Sequence, residues 1–445
     1  VMAHRPQHPL PFALDELHGP QPWRPAVPKS ARGRWLARLD RLLRAYERRP
    51  PRFLRRIAMA RAERWIVRRQ EADGSWGGIQ PPWVYSLMAL HLSGYPLEHP
   101  LMRQGVEGID GFMIEEGESR RLEACQSPVW DTALAAVALG DAGLPEDHEA
   151  LVRAGEWLLG EEVRVAGDWR IARPSLAPGG WAFEFANDNY PDVDDTAEVV
   201  LALLRIRPDW RTREAIERAV RWTRGMQGED GGWGAFDADN TRALVRELPF
   251  LDFGEVIDEP SADVTAHAVE MLAALGRECE TEAAVRWLRE RQEPDGSWWG
   301  RWGVNHIYGT GAVLPALIAA GVEPSEACVR RAVRWLETHQ NEDGGWGEDP
   351  RSYDSAEWVG RGESTASQTA WALLALHAAG ERSEALAGGL RWLVETQRED
   401  GSWDEPQYTG TGFPSDYYIN YHLYRLVFPV MALGRCLAAR GADGH

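Results

Sequence analysis

The sequence predicts an all-α repeat protein whose helix–turn–helix units close into one complete α/α barrel and form part of a second. Three observations predict it. One Trp–Gln–Trp spacing recurs five times, each copy is followed by a stretch far more apolar than the one before it, and six apolar stretches lie between residues 127 and 445. Self-similarity at a fixed spacing marks a repeat architecture, in which each unit buries its apolar face against its neighbours.

The strict copies are Trp65, Gln70, Trp76; Trp222, Gln227, Trp233; Trp287, Gln292, Trp298; Trp335, Gln340, Trp346; and Trp392, Gln397, Trp403. A weaker copy, Trp157, Glu162, Trp169, has Glu for Gln and one residue more. The first stretch of each unit, such as REAIERAVRWTRGMQ or SEACVRRAVRWLETHQ, carries apolar residues at helical spacing and ends at a Gly turn. Its Arg and Glu should face water. The second stretches are SPVWDTALAAVALGDAG, DVDDTAEVVLALLRI, SADVTAHAVEMLAALG, VNHIYGTGAVLPALIAAG, STASQTAWALLALHAAG and DYYINYHLYRLVFPVMALGRC. They are apolar nearly all round and should be buried, which gives an inner and an outer ring of helices over 127–445 and a partial barrel over 1–126. The Gln is read as tying a helix end to the next turn, and the Trp as stacking beneath it with its N–H paired.

A chain of 445 residues with 44% hydrophobic and 26% charged content can bury large cores, and no run of 18 apolar residues crosses a bilayer. The first residues lack the pattern of a signal peptide, so an intracellular location is expected. Cys125, Cys279, Cys328 and Cys436 lie far apart, without zinc-site or redox spacing, and read as packing residues. The net charge of −19 argues against nucleic acid as a partner. Residues 1–69 depart from it, with seventeen Lys and Arg against five Asp and Glu. Within the basic segment 28–70, Trp35, Leu36, Leu39, Leu42 and Leu43 fall on one side of a helix and Arg on the other. An ordinary surface helix has this pattern, and so does one lying on an anionic membrane.

The acidic residues carry the chemistry. Asp131, Asp195 and Asp263 stand where inner helices begin, and an N-cap is the plain reading of each. Asp192, Asp194 and Asp195 exceed capping: three carboxyls in four positions repel, and burial should keep at least one protonated near neutrality, as a general acid requires. In Asp263-Val264-Thr265-Ala266-His267 a carboxylate and an imidazole lie four apart on one helical face. A chain Asp263, His267, Asp194 is expected, in which a cationic His267 stabilises the Asp194 carboxylate while Asp263 holds the imidazole.

The repeats and DVDDTA, followed in order by PFLDFGEVIDEPSADVTAH, GSWWGRWGVNHIYGTGAV and GTGFPSDYYINYHLYRLVFP and preceded by SPVWDTA, resemble the squalene-hopene cyclases over nearly the whole chain. The related oxidosqualene cyclases have a single Asp in place of the DxDD run, so the resemblance implies a squalene-type alkene rather than an epoxide. It implies that squalene is cyclised to hopene, with some hopanol by water capture, without metal or organic cofactor. Asp194 would be the proton donor, Asp192 and Asp195 its flanking carboxyls, and His267 with Asp263 the pair that sets its acidity. Trp130, Phe183, Phe236, Phe250, Phe253, Trp302, Tyr308, Phe413, Tyr417, Tyr421 and Tyr424 would line the cavity, their ring faces stabilising cations. Trp35, Leu36, Leu39 and Leu43 would meet the membrane, with monotopic attachment on the cytoplasmic side.

Two positions depart from the family: Phe236 stands where well-known members have Tyr, and Tyr417 where they have Phe. The family's N-terminal portion is also expected to be missing, which would leave 1–126 an open part-barrel; a second copy, in a homodimer, is one way of closing it. Two other readings share these features, a DxDD cyclase of another polyprenoid and a non-catalytic α/α scaffold or inactive fragment.

Overall fold

The computed structural model describes residues 1, 31–48, 51–242, 244–245 and 257–442. Its contacts divide the chain into two units, Val1–Gln126 with Thr241–Ile257, and Ser127–Asn240 with Asp258–His445. The boundary between the two units lies between Gln126 and Ser127.

The first unit comprises α1 (Ala31–Arg48), α2 (Arg52–Val67), α3 (Gln80–Leu92), α4 (Pro100–Asp110) and a hairpin of β1 (Met113–Glu116) and β2 (Ser119–Leu122). Its small core is Trp76, Trp83, Leu87, Leu90, Met102 and Phe112. Helix α1 is amphipathic as expected, with Trp35, Leu39, Leu42 and Leu43 exposed. Leu36 is not among them. It is buried, as is Gly33 three residues earlier, because it lies on the edge of the face that the helix turns inward.

The second unit is a closed ring of helices. Its inner helices are α5 (Pro128–Asp141), α7 (Val193–Leu203), α9 (Ala262–Ala274), α11 (His306–Ala319), α13 (Ala366–Ala378) and α15 (Tyr424–Ala442). Each packs on the next and α15 packs back on α5. The outer helices are α6 (Glu149–Gly160), α8 (Trp210–Gly225), α10 (Glu282–Glu290), α12 (Ala327–Thr338) and α14 (Glu384–Thr396). Every residue of α7 is buried, whereas α10 and α12 bury a stripe of Val, Trp, Leu and Ala and leave their charged residues at the surface or partly covered. The last inner stretch is not helical throughout. Gly410–Phe413 and Tyr417–Ile419 form a second hairpin, β3–β4, before α15 begins. Gly311 lets α11 and α13 approach closely, since a Cβ there would lie 2.8 Å from that of Trp371.

The repeat geometry shows what the spacing is for. In the five strict copies the Gln Nε2 donates to the carbonyl four residues on, Gly74, Gly231, Gly296, Gly344 or Gly401, at 2.7–3.1 Å. Gln70, Gln292 and Gln340 also reach carbonyls two helices further along the chain, Leu101 of α4, Cys328 of α12 and Ala385 of α14, each at 2.8 Å. The second Trp donates its indole N–H to the residue after the first Trp, as Trp298 does to the Leu288 carbonyl at 2.7 Å. Inner-helix threonines complete the brace: Thr196, Thr265, Thr310 and Thr369 accept the backbone N–H of Trp181, Trp233, Trp298 and Trp346.

The weaker copy differs from its sequence reading. Trp181, not Trp169, donates to the residue after Trp157, the Leu158 carbonyl, at 2.6 Å, so the second Trp comes after a long insertion. Trp169 packs edge-on against Trp222 instead. Glu162, lacking the amide donor, accepts a fork of bonds from Arg218 at 2.6 and 2.8 Å.

Gln292→Leu strips donors from two carbonyls, one of them on α12, and should lower unfolding free energy by about 1–3 kcal/mol. Gln397 is exposed and, among the described residues, bonds only within its own turn, so Gln397→Leu should cost less than about 1 kcal/mol. Urea unfolding of the two variants measures the difference; equal losses would mean that the tie between repeats adds nothing.

Candidate active site

The first two turns of the inner helices meet at one end of the second unit. Trp130 of α5 donates its indole N–H to the Tyr424 hydroxyl of α15 at 3.0 Å. Its ring centroid lies 6.3 Å from that of His267 on α9, which lies 6.3 Å from Tyr308 on α11. Tyr308 lies 4.8 Å from Trp371 on α13, and Trp371 5.9 Å from Tyr424. Five of the six helices thus contribute an aromatic or imidazole ring to one circle, and the sixth, α7, contributes Asp194.

Asp194 and His267 are both buried, and Oδ1 of the one lies 2.5 Å from Nδ1 of the other. Burial by itself would push the imidazole down from 6.5, but the Asp194 charge and hydrogen bond, with Glu198 and Asp263, raise it to about 10. His267 is therefore a cation at neutral pH, held against a carboxyl at the N-terminal turn of a helix, where the helix dipole favours negative charge.

The flanking carboxyls divide the remaining work. Asp192 is the N-cap of α7 and accepts the Asp195 N–H at 2.7 Å. Burial raises it to about 7 against the opposing bonds from Asp195, and burial with the Asp192 and Asp194 charges raises Asp195 well above the ordinary carboxyl range. A protonated carboxyl is the state that packs here near neutrality. Asp131, on α5, is raised by burial to about 6 although the Ser127 hydroxyl donates to it.

Asp263 does not hold the imidazole directly. Its Oδ2 accepts the backbone N–H groups of Arg301 and Trp302 at 2.9 and 2.8 Å, fixing the loop that carries Trp302, and it reaches His267 only through its charge. The expected three-member chain thus has one hydrogen bond, not two. Residues four apart on α9 share a face, but the backbone amides of Arg301 and Trp302 lie within reach of that carboxyl and take its lone pairs.

Of the other aromatics, Trp302 packs edge-on to Phe236 at 5.9 Å, with the Arg301 guanidinium 4.2 Å from its ring. Tyr421 stacks on Tyr424 at 4.4 Å and meets Phe183 edge-on at 6.4 Å. Phe413 and Tyr417 pair across the β3–β4 hairpin, and Tyr417 is exposed. Phe250 and Phe253 lie outside the described residues. Trp371, Phe428 and Glu198 line the inner cavity without having been singled out from sequence. Glu198 had a signal, a charge inside an otherwise apolar stretch four residues after Asp194; Trp371 looked like any core Trp. Asp131 Oδ1, Asp195 Oδ1, Asp263 Oδ1, the Tyr308 hydroxyl and the Trp371 indole N–H are buried with no protein hydrogen-bond partner among the described residues. Such orphaned polar atoms collect at functional sites.

Fold and site together define the class of α/α-barrel terpene cyclases. The fold is similar to that of the type II terpene cyclase MstE from Scytonema, with a TM-score of 0.53 and 20% identity over 73% of this chain and 92% of that one. That cyclase has also been solved with its substrate geranylgeranyl dihydroxybenzoate. The squalene-hopene cyclase C-terminal domain matches residues 126–438 and the N-terminal domain residues 1–118. Squalene–hopene cyclase of Alicyclobacillus acidocaldarius is 51% identical over 98% of this chain, and that of Bradyrhizobium diazoefficiens 42% identical over 92%. The chain belongs to the squalene-hopene cyclase family, and it spans 70% and 63% of the length of those two relatives.

The charge on His267 stabilises the fold fully below about pH 6.5, and that contribution is lost as pH rises through about 10. The melting temperature should therefore fall across this window. In the neutral double variant Asp194→Asn/His267→Gln the fall should be shallower, and an unchanged slope would show that the pair is not its source.

Proposed function

We propose that the chain carries out the acid-initiated cyclisation of squalene to hopene, with a minor branch to hopanol by water capture. The observation that carries this reading is the buried 2.5 Å contact between Asp194 and a cationic His267 within a circle of aromatic side chains. An alkene is a very poor base, so protonating it needs a carboxylic acid whose conjugate base is stabilised at once. His267 supplies that stabilisation. The carbocations that follow need stabilisation that does not add to them, which the π faces of Trp130, Tyr308, Trp371 and Tyr424 offer where bulk water is excluded.

A DxDD cyclase of another polyprenoid would use the same acid and the same aromatic circle. The substrate of the Scytonema cyclase keeps that alternative in view, while 51% identity to a squalene–hopene cyclase favours squalene. Asp194→Asn should reduce squalene turnover by at least about 10²-fold. Product analysis by gas chromatography checks both rate and identity, and near-native turnover of the variant would remove Asp194 as the donor.

We further propose that α1 attaches the protein to the cytoplasmic face of the cell membrane. No helix among the described residues is long and apolar enough to cross a bilayer. Helix α1 exposes Trp35, Leu39 and Leu43 beside several Arg, which suits an anionic surface from which a hydrocarbon substrate would come. Changing Trp35, Leu39 and Leu43 to Ser should reduce flotation with anionic liposomes; equal flotation would return α1 to an ordinary surface helix.

A further inference from the structure

Phe236 and Trp302, which meet edge-on at 5.9 Å, are not carried by helices. A helix places its side chains through its own hydrogen bonds, whereas a ring on a loop stays only where the loop is tied. The Trp302 loop is tied by Asp263 through the Arg301 and Trp302 amides. The Phe236 loop has a device of the same kind. Asp258 accepts the backbone N–H groups of Ala235, Phe236 and Asp237 at 3.2, 2.6 and 2.7 Å, three consecutive amides on one carboxyl. It lies in the EVIDEP stretch, to which the acid chemistry gives no part.

Asp258 is itself held on two sides. Its own N–H donates to the Asn240 carbonyl at 2.9 Å, in an antiparallel bridge that closes the loop after Phe236. Gly234 leaves room for it: a Cβ there would lie 2.8 Å from both the Asp258 carbonyl oxygen and Oδ2. Burial pushes the Asp258 carboxyl up, and its three backbone amides pull against that. Amides left without this acceptor would turn toward other partners and carry the ring with them.

We propose that Asp258 is a positioning residue that fixes the Phe236 ring against Trp302 and thereby sets how many rings form before the cation loses a proton. A π face stabilises a cation only at short range and in the right orientation, so a ring that can tilt leaves one cation of the series unsupported. That cation then ends the series early. A C–H bond beside it breaks, the electron pair becomes a C=C bond, and the proton goes to water, which offsets the proton received from Asp194. The product is an isomer of squalene with fewer rings than hopene.

The same loop reaches the acid. The Ala235 carbonyl accepts the Val193 N–H at 2.8 Å, one residue before Asp194, and the Trp233 carbonyl accepts the N–H of Ser261, the N-cap of α9, at 3.1 Å. Loosening Asp258 should therefore lower the rate as well as change the products. The product ratio is the reading that belongs to the ring.

The inference rests on the cyclase reading, and the test keeps the two apart. Asp258→Ala removes the acceptor, and Gly234→Ala displaces it while leaving its chemistry intact. In both, the share of products with fewer rings than hopene should rise on the order of threefold or more, read by gas chromatography of squalene incubations. Asp258→Asn, which keeps one acceptor oxygen, should give a smaller rise; it and Gly234→Ala carry the test if Asp258→Ala does not fold. Gln340→Leu, which strips donors from two carbonyls of another repeat, should lower stability and leave the ratio unchanged. An unchanged ratio in Gly234→Ala and Asp258→Asn, or a shift of the same size in Gln340→Leu, would overturn the positioning role. If the wild type forms no cyclised product, the cyclase reading fails instead, and the positioning is judged by fluorine NMR with 4-fluorophenylalanine in place of Phe236. One resonance in the wild type that broadens or splits in Gly234→Ala and Asp258→Asn supports it; resonances alike in all three overturn it.

Discussion

Holding a carboxyl and an imidazolium 2.5 Å apart without solvent is costly, because each charge loses its hydration and regains it only from its partner and a few fixed dipoles. The surroundings of Asp194 and His267 are arranged around that cost. Asp194 sits at a helix N-terminus, Glu198 and Asp263 add negative charge that keeps His267 cationic, and Asp192 caps the helix that carries the acid. The same crowding penalises further charge, so burial raises Asp192, Asp195, Glu198 and Asp131. Burial among neighbouring carboxyls pushes all four upward.

Such an arrangement persists only if the backbone cannot relax away from it. The repeat supplies the rigidity. Gln side chains clamp turn to helix end, indole N–H groups clamp the next strand of chain to the same helix, and inner-helix threonines receive the Trp backbone. Buried acids outside the site do similar work, as Glu348 does in accepting the N–H groups of Asn305 and Ile307 at the start of α11. Each bond is worth about 1 kcal/mol net, but they recur around a closed ring, so no single helix can shift without straining its neighbours.

The aromatic circle separates two environments along the barrel axis. On the side of the helix starts stand Trp302, Phe236, Phe183 and Tyr421, with Phe236 edge to face with Trp302 and Phe183 with Tyr421. On the other side runs a cavity with Glu198, Glu270 and Arg435 on its wall. A layer of packed rings one residue thick lies between the two.

The sequence by itself determined the repeat, the alternation of inner and outer helices, the six members of the ring and the carboxyl cluster Asp192, Asp194 and Asp195. These follow from spacing, and a periodic pattern has only a few ways to bury its apolar faces. Asp192, Asp194 and His267 were legible as candidates because charged residues in apolar stretches are expensive and therefore informative. Tertiary structure alone decided which groups meet. Asp263 turned to the amides of Arg301 and Trp302, Trp181 displaced Trp169 from the weaker repeat, and Leu36 turned inward while Trp35 stayed outside. Spacing along one helix fixes the face a residue occupies, but the partner on that face comes from a distant part of the chain. Which lone pair or ring it meets is set by closing the barrel.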